Sequence, residues 1–354
     1  MINLYNNRQQ LMVHTQNWKT YWNKRIISLD EIVPVKQRDS IPSIDNPQFV
    51  NIDTAKTYLS DQTPVISVQL ADEARAYPLE IMMWHEIVND TINGIPITVT
   101  YCPLCSSEFV YSSVINGKNL QFGTSGLLRN SNLIMYDRQT DSLWQQFTGQ
   151  ALIGDYVNRS LNPIPSNVVS FKKFYSTYPN GLVLSRNTGF IRDYGNNPYV
   201  NYDQITNQPL FFKGIIDTRL PAMQRVLGIQ IGNNALAYPL YMLQTSPIIY
   251  NTLNNVEYVI FYNSGMSSAL DSPIISEGKD VGMTGVFIPY LNGERLNFTK
   301  NSLNQIIDTN TNSTWSILGK ALSGPLKGIQ LTPLVHGDVF WFAWSSFYPN
   351  TSLT

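Results

Sequence analysis

The chain has 354 residues, a length suited to two domains, with 12% aromatic and only 14% charged residues, the composition of a packed, strand-rich protein rather than a disordered one. Its formal net charge is −1 and it has no Lys/Arg block, which sets aside a nucleic-acid or anionic-membrane role. No apolar run approaches the roughly 20 residues of a transmembrane helix, and the opening "MINLYNNRQQLMVHTQNW" lacks the charged-then-apolar order of a secretory signal, so a soluble chain is expected.

Residues 1–40 read as a loose amino-terminal segment. From there the apolar pattern mostly has period two: "PVISVQL", "IPITVTY", "SEFVYSSV" and "NLIMYD" are strands, separated by turn pairs such as Asn-Gly. The exception is "YPLEIMMWHEIVND", where Pro78 followed by Leu79, Met82, Met83 and Glu86 at helical spacing predicts a short helix running into a strand. After an Asn/Tyr/Pro-rich linker at 191–223 the strand pattern resumes with "VEYVIFY" and "VFIPYL".

The two stretches are alike. Residues 74–101 align without a gap on 235–262, with nine of 28 positions identical, against roughly one or two by chance, including Tyr77/Tyr238, Pro78/Pro239 and Tyr101/Tyr262. Downstream, "INGKNLQF" faces "LNGERLNF", "DRQTDSLW" faces "DTNTNSTW" and "FYSTYPN" faces "WSSFYPN". The expected fold is therefore mainly β (α+β): two tandem copies of one β-rich domain, 41–190 and 224–354, each with about one short helix and packed together.

Chemistry is confined to the first copy. His85, Cys102 and Cys105 fall opposite Ser246, Asn263 and Met266, so the skeleton can be built without them. A Cys-x-x-Cys at a strand-to-turn junction, with Pro103 fixing one φ, directs both sulfurs to one side, and His85 from the preceding helix is a third ligand suited to copper or zinc. The alternatives are a thiol–disulfide protein using the same cysteines, with His85 lowering a thiol pKa, and a non-catalytic interaction module with a structural disulfide. A zinc ribbon lacks its second Cys-x-x-Cys, and covalent haem is excluded because Ser106 follows Cys105. Glu86, Met135 and Tyr101 are accessory candidates near this site, Glu86 as a general base or a partner of the ligand. Asp137 and Arg138 read as a salt bridge or turn pair, since Asp308 repeats Asp137. Ser125 in "FGTSG" lacks the spacing of a nucleophile elbow, and His14 and His336 read as structural.

"DNPQFV", "ARAYPLEIMMWHEIVND", "VTYCPLC", "FGTSGLLRNSNLIMYDRQTDSLWQQFTGQALIG" and "RDYGNNPY", in this order, resemble the bacterial and archaeal family called domain of unknown function 3179. The resemblance places the family's His and Cys-x-x-Cys positions on His85, Cys102 and Cys105. It also implies an extracytoplasmic location, with which sequons at Asn158, Asn297 and Asn312 agree. The expected function is soft-metal binding, copper ahead of zinc, in metal handling or electron transfer, the partner being the metal ion or a redox protein.

Overall fold

A computed structural model describes residues 2–354. The Asn-Gly signals produce tight hairpins. Asn93 and Gly94 both take positive φ (48° and 77°), the type I′ geometry that joins strands Ile87–Ile92 and Ile95–Cys102 with Ile92 opposite Ile95. Asn254 and Asn255 do the same between Ile248–Leu253 and Val256–Asn263. The protein is mainly β, with short helices at strand ends and one longer helix near the amino terminus.

In the first half, strands Pro64–Leu70 and Glu73–Pro78 pair antiparallel, Ser166–Ser170 adds to one edge, and Leu182–Leu184 joins the other edge in parallel. A second sheet is the meander Ile87–Ile92, Ile95–Cys102, Ser107–Ser112, and a third runs Phe122–Arg129, Asn132–Asp137, Leu143–Gln145, Ala151–Ile153. Residues after 224 run in the same order: Arg225–Ile231 pairs with Asn234–Pro239, His336–Phe340 takes the antiparallel edge and Ser352–Leu353 the parallel one. The strands Ile248–Leu253, Val256–Asn263 and Met283–Phe287 form the next sheet, and Phe298–Lys300 through Ala321–Ser323 the last. Even buried polar detail recurs. The Trp144 indole donates to Asp137 Oδ2 at 2.9 Å, and that of Trp315 to Asp308 Oδ2 at 2.8 Å, each carboxylate also taking a threonine amide three residues on.

The helix content exceeds the expectation of about one per half. Leu79–His85 and Leu240–Thr245 follow the two "AYPL" stretches, where the fixed φ of Pro78 and Pro239 (−59° each) precedes the first turn. Phe171–Thr177 and Trp341–Phe347 are a second pair, the former capped by Ser170, whose hydroxyl accepts from Lys173 N at 3.4 Å. The amino terminus is not loose throughout: Ile2–Thr15 is helical, and its Leu11 is buried among Ile32, Leu127 and Ile134.

The largest buried cluster draws residues from both halves. Phe147 stacks on Phe347 with ring centroids 4.6 Å apart, and Phe109, Val339, Trp341 and Trp344 belong to the same buried cluster. Strand Ser107–Ser112 lies against His336–Phe340. Close approach explains Gly337, where a Cβ would come within 3.1 Å of the Phe109 ring. Among the described residues no helix is long and apolar enough to cross a membrane.

Candidate functional site

The cysteines sit where a strand turns back. Strand Ile95–Cys102 ends at Cys102, Pro103–Cys105 makes one 3-10 turn, and Ser106 (φ 48°) reverses the chain so that Ser107 pairs with Cys102. Both thiols are free and buried, 2% and 0% exposed. Cys102 Sγ lies 3.8 Å and Cys105 Sγ 3.5 Å from one acceptor, the Ser131 carbonyl. That carbonyl is presented by a left-handed turn at Asn130 and Ser131 (φ 51° and 62°). Burial, then the neighbouring Cys102, pushes the Cys105 thiol well above its ordinary pKa.

The linker covers this turn. Tyr202 donates its hydroxyl to Leu104 O (3.0 Å) and accepts from Leu210 N (3.3 Å), while Ser131 Oγ donates to Leu210 O (2.6 Å). Asp203, next in the chain, accepts from Ser268 Oγ at 2.6 Å and pairs with Lys279 at 2.8 Å and Arg225 at 3.4 Å; Arg225 in turn donates to Ser106 Oγ at 2.7 Å. A chain of buried and partly exposed polar groups thus joins the cysteine turn, residues 202–203 and the strands after 224.

The structure does not bring His85 to the thiols. Its Nδ1 is 2.7 Å from Pro42 O, which can only accept, so Nδ1 carries the proton; Nε2 then accepts from the Tyr194 hydroxyl at 2.6 Å, and Tyr194 from Thr188 at 2.6 Å. Burial, with Arg192 adding to it, lowers the pKa of His85 to about 4, so the ring is neutral at pH 7. Among the described residues no three His, Cys, Asp or Glu side chains are grouped to hold a metal ion. The cause is local. Helix Leu79–His85 ends in the left-handed Glu86 (φ 59°), leaving His85 facing residues 42 and 194.

Glu86 is the accessory candidate with the most unusual surroundings. Its backbone is tied by Glu86 N to Met82 O and by Tyr101 N to Glu86 O, both 2.8 Å, yet its carboxyl has no hydrogen-bond or ion-pair partner among the described residues. It lines a cavity of about 390 Å³ together with Lys36, Leu104, Leu128, Leu133 and Tyr199. Burial raises its pKa to about 7 against the pull of Lys36. Met135 is fully buried in strand Asn132–Asp137, opposite Trp144 and Thr124, a core position. Tyr101 is buried in register with Glu108, its phenol pKa pushed up by burial.

The remaining polar candidates are structural. Arg138 pairs with Asp39 (3.3 Å) and Asp45 (3.2 Å). Ser125 Oγ donates to Ile134 O and accepts from Leu127 N inside a β-bulge. His14 is tied to Gln10 O (3.0 Å), and His336 to Leu334 O (2.9 Å) and Asn167 (3.3 Å). Sequence reasoning missed Ser131, Tyr202 and Leu210, whose single signal was the run of tyrosines in the linker.

With this geometry in place, comparison with known proteins identifies the class. The chain belongs to the protein family of unknown function DUF3179, whose profile matches residues 38–351. No curated protein and no solved structure matches it.

Proposed function

We propose that Cys102 and Cys105 form a two-thiolate site for a soft cation, copper(I) ahead of zinc, and that the protein handles this ion rather than passing electrons. The observation that carries the reading is the approach of both Sγ atoms to the single Ser131 carbonyl, at 3.8 and 3.5 Å, which sets two soft donors around one point. Thiolates select Cu(I), whereas structural zinc is almost always held by four ligands. Blue-copper electron transfer takes two imidazoles and a thiolate, while both nitrogens of His85 are bonded elsewhere. The raised pKa of Cys105 keeps it a poor attacking thiol, which disfavours disulfide exchange, whereas a bound cation displaces the thiol protons itself.

We also infer that 41–190 and 224–354 are copies of one unit joined by 191–223, supported by the common strand order and the matching Asp137–Trp144 and Asp308–Trp315 bonds. The copy with Asn263 and Met266 in the cysteine positions is then a folded domain without the site.

The test is anaerobic titration of the reduced protein with Cu(I) in competition with a chromophoric chelator, beside the Cys102→Ser/Cys105→Ser variant. One Cu(I) per wild-type chain, absent from a variant that keeps its circular dichroism, is the expected result. Equal Cu(I) uptake by both proteins, or none by either, overturns the proposal. A variant that binds nothing because it unfolds, beside a wild type that is oxidised as isolated, restores the structural disulfide.

A further inference from the structure

The cavity lined by Glu86 makes a site distinct from the thiol pair. Besides Glu86 and Leu104, its walls come from three parts of the chain: the segment containing Val35 and Ile41, the bulged strand Phe122–Arg129 with its neighbour Leu133, and residues 198–211. The first wall is fixed to the second by Val35 N and Lys36 N, both donating to Gly126 O (2.9 and 3.1 Å). Gly126 permits this because its φ is +76°, and a Cβ there would stand 2.0 Å from Lys36 O. At about 390 Å³ the space lies in the range of small-molecule sites, and its lining is dominated by Leu, Val, Ile, Tyr and Phe side chains.

One group in it is unexplained. Glu86 is 8% exposed as a residue, its carboxyl oxygens are not completely enclosed where the residue lines the cavity, and no protein group among the described residues pairs with them. With no protein partner, the carboxyl depends on whatever enters the cavity to satisfy it, and a carboxyl held at an apolar wall without one is unfavourable in either protonation state. Replacing it by an apolar side chain would relieve that cost, so its presence at the wall of an apolar cavity is the mark of a group that meets something from outside. Lys36, on the same lining, makes no ion pair with it.

We propose that this cavity binds a small, mainly apolar molecule carrying one amine, whose N–H groups are received by the Glu86 carboxyl while its hydrocarbon or aromatic body lies among Leu104, Leu128, Leu133 and Tyr199. An amine satisfies the carboxyl by charge-assisted hydrogen bonds, which are about twice as strong as neutral ones. The walls provide the remaining affinity through apolar burial. The proposal stands apart from the thiol site: it requires neither cysteine.

The experiment uses 4-phenylbutylamine, 4-phenylbutanol and 4-phenylbutyrate as probes of equal body and different head, titrated by calorimetry or ligand-observed NMR into the full chain. The amine should bind best and the carboxylate at least tenfold worse. Glu86→Gln, which keeps the shape of the side chain in the same backbone conformation, should weaken the amine about tenfold or more and leave the alcohol nearly unchanged. Ser40→Trp, at an exposed lining position, should exclude all three probes without loss of circular dichroism. No binding of any probe at millimolar concentration, preference for the carboxylate, or equal amine affinity in wild type and Glu86→Gln overturns the assignment.

Discussion

Replacing Glu108 by glutamine should change how stability depends on pH. Glu108 lies on strand Ser107–Ser112 where it faces the second half; it is 4% exposed and its Oε1 has no hydrogen-bond partner. Burial, with Asp338 of the opposing strand adding to it and Ser166 opposing it, raises its pKa from 4.5 to about 7. The folded state therefore holds a proton that the unfolded state releases. Its contribution is fully present below pH 4.5 and is lost as pH rises through 7. Between 4.5 and about 7, at ~1.4 kcal/mol per pH unit, the loss is about 3 kcal/mol. Glutamine resembles the protonated acid and never ionises. Relative to its value at pH 4.5, the variant should gain stability over wild type, reaching about 3 kcal/mol above pH 7, or roughly 4 °C in thermal midpoint for a chain of this length. Taking the difference between the two proteins cancels the other titrating groups, except Asp338, whose own pKa is raised by burial and which ionises more readily once Glu108 carries no charge. The assay is a series of thermal melts from pH 4.5 to 8.5. Parallel curves for wild type and Glu108→Gln would refute the reasoning.

Other expected outcomes are as follows. His85 behaves oppositely: its depressed pKa of about 4 means that stability present above pH 6.5 is lost as pH falls through 4, by about 3 kcal/mol, and His85→Asn should flatten that acid limb in urea titrations. Asp137→Ala and Asp308→Ala each strip a threonine amide and a buried indole of their acceptor, and each should cost ~2–4 kcal/mol; a cost for one and none for the other in chemical denaturation would count against their equivalence. Gly126→Ala forces a Cβ against Lys36 O at positive φ; it should destabilise by ~2–4 kcal/mol and reduce probe binding in the Glu86 cavity, and unchanged calorimetric affinity would show that the 35–36 wall is not held there.

Much of the architecture was written in local chemistry. Asn-Gly pairs specified the hairpins because both positions need positive φ, and "AYPL" specified a helix start because proline presets φ. The second helix of each half was missed because "FKKFYST" and "WFAWSSF" are only two turns long and rich in aromatic residues, although Ser170 stood as a readable cap. The pairing of Cys102 with Cys105 needed only the turn at Pro103. The direction of His85 was illegible because it depends on the left-handed Glu86 and on partners 43 and 109 positions away, Pro42 and Tyr194. Glu86 itself stood beside the site in sequence, but its lack of a partner is a property of three distant segments closing around it.

The route of the linker sets an order of events in time. Tyr202 closes over Leu104 from 98 positions further along the chain. At a synthesis rate of about 5–20 residues per second, the cysteine turn leaves the ribosome roughly 5–20 s before its cover exists. Through this interval the thiols stand without the Tyr202 and Leu210 bonds that cover the turn in the finished chain. Nascent chains stalled before residue 202 should then alkylate at both cysteines quickly, and released full-length protein slowly; equal rates would mean that the linker swings clear in the mature fold. The segment joining the two halves thus sets when the turn is covered as well as what covers it.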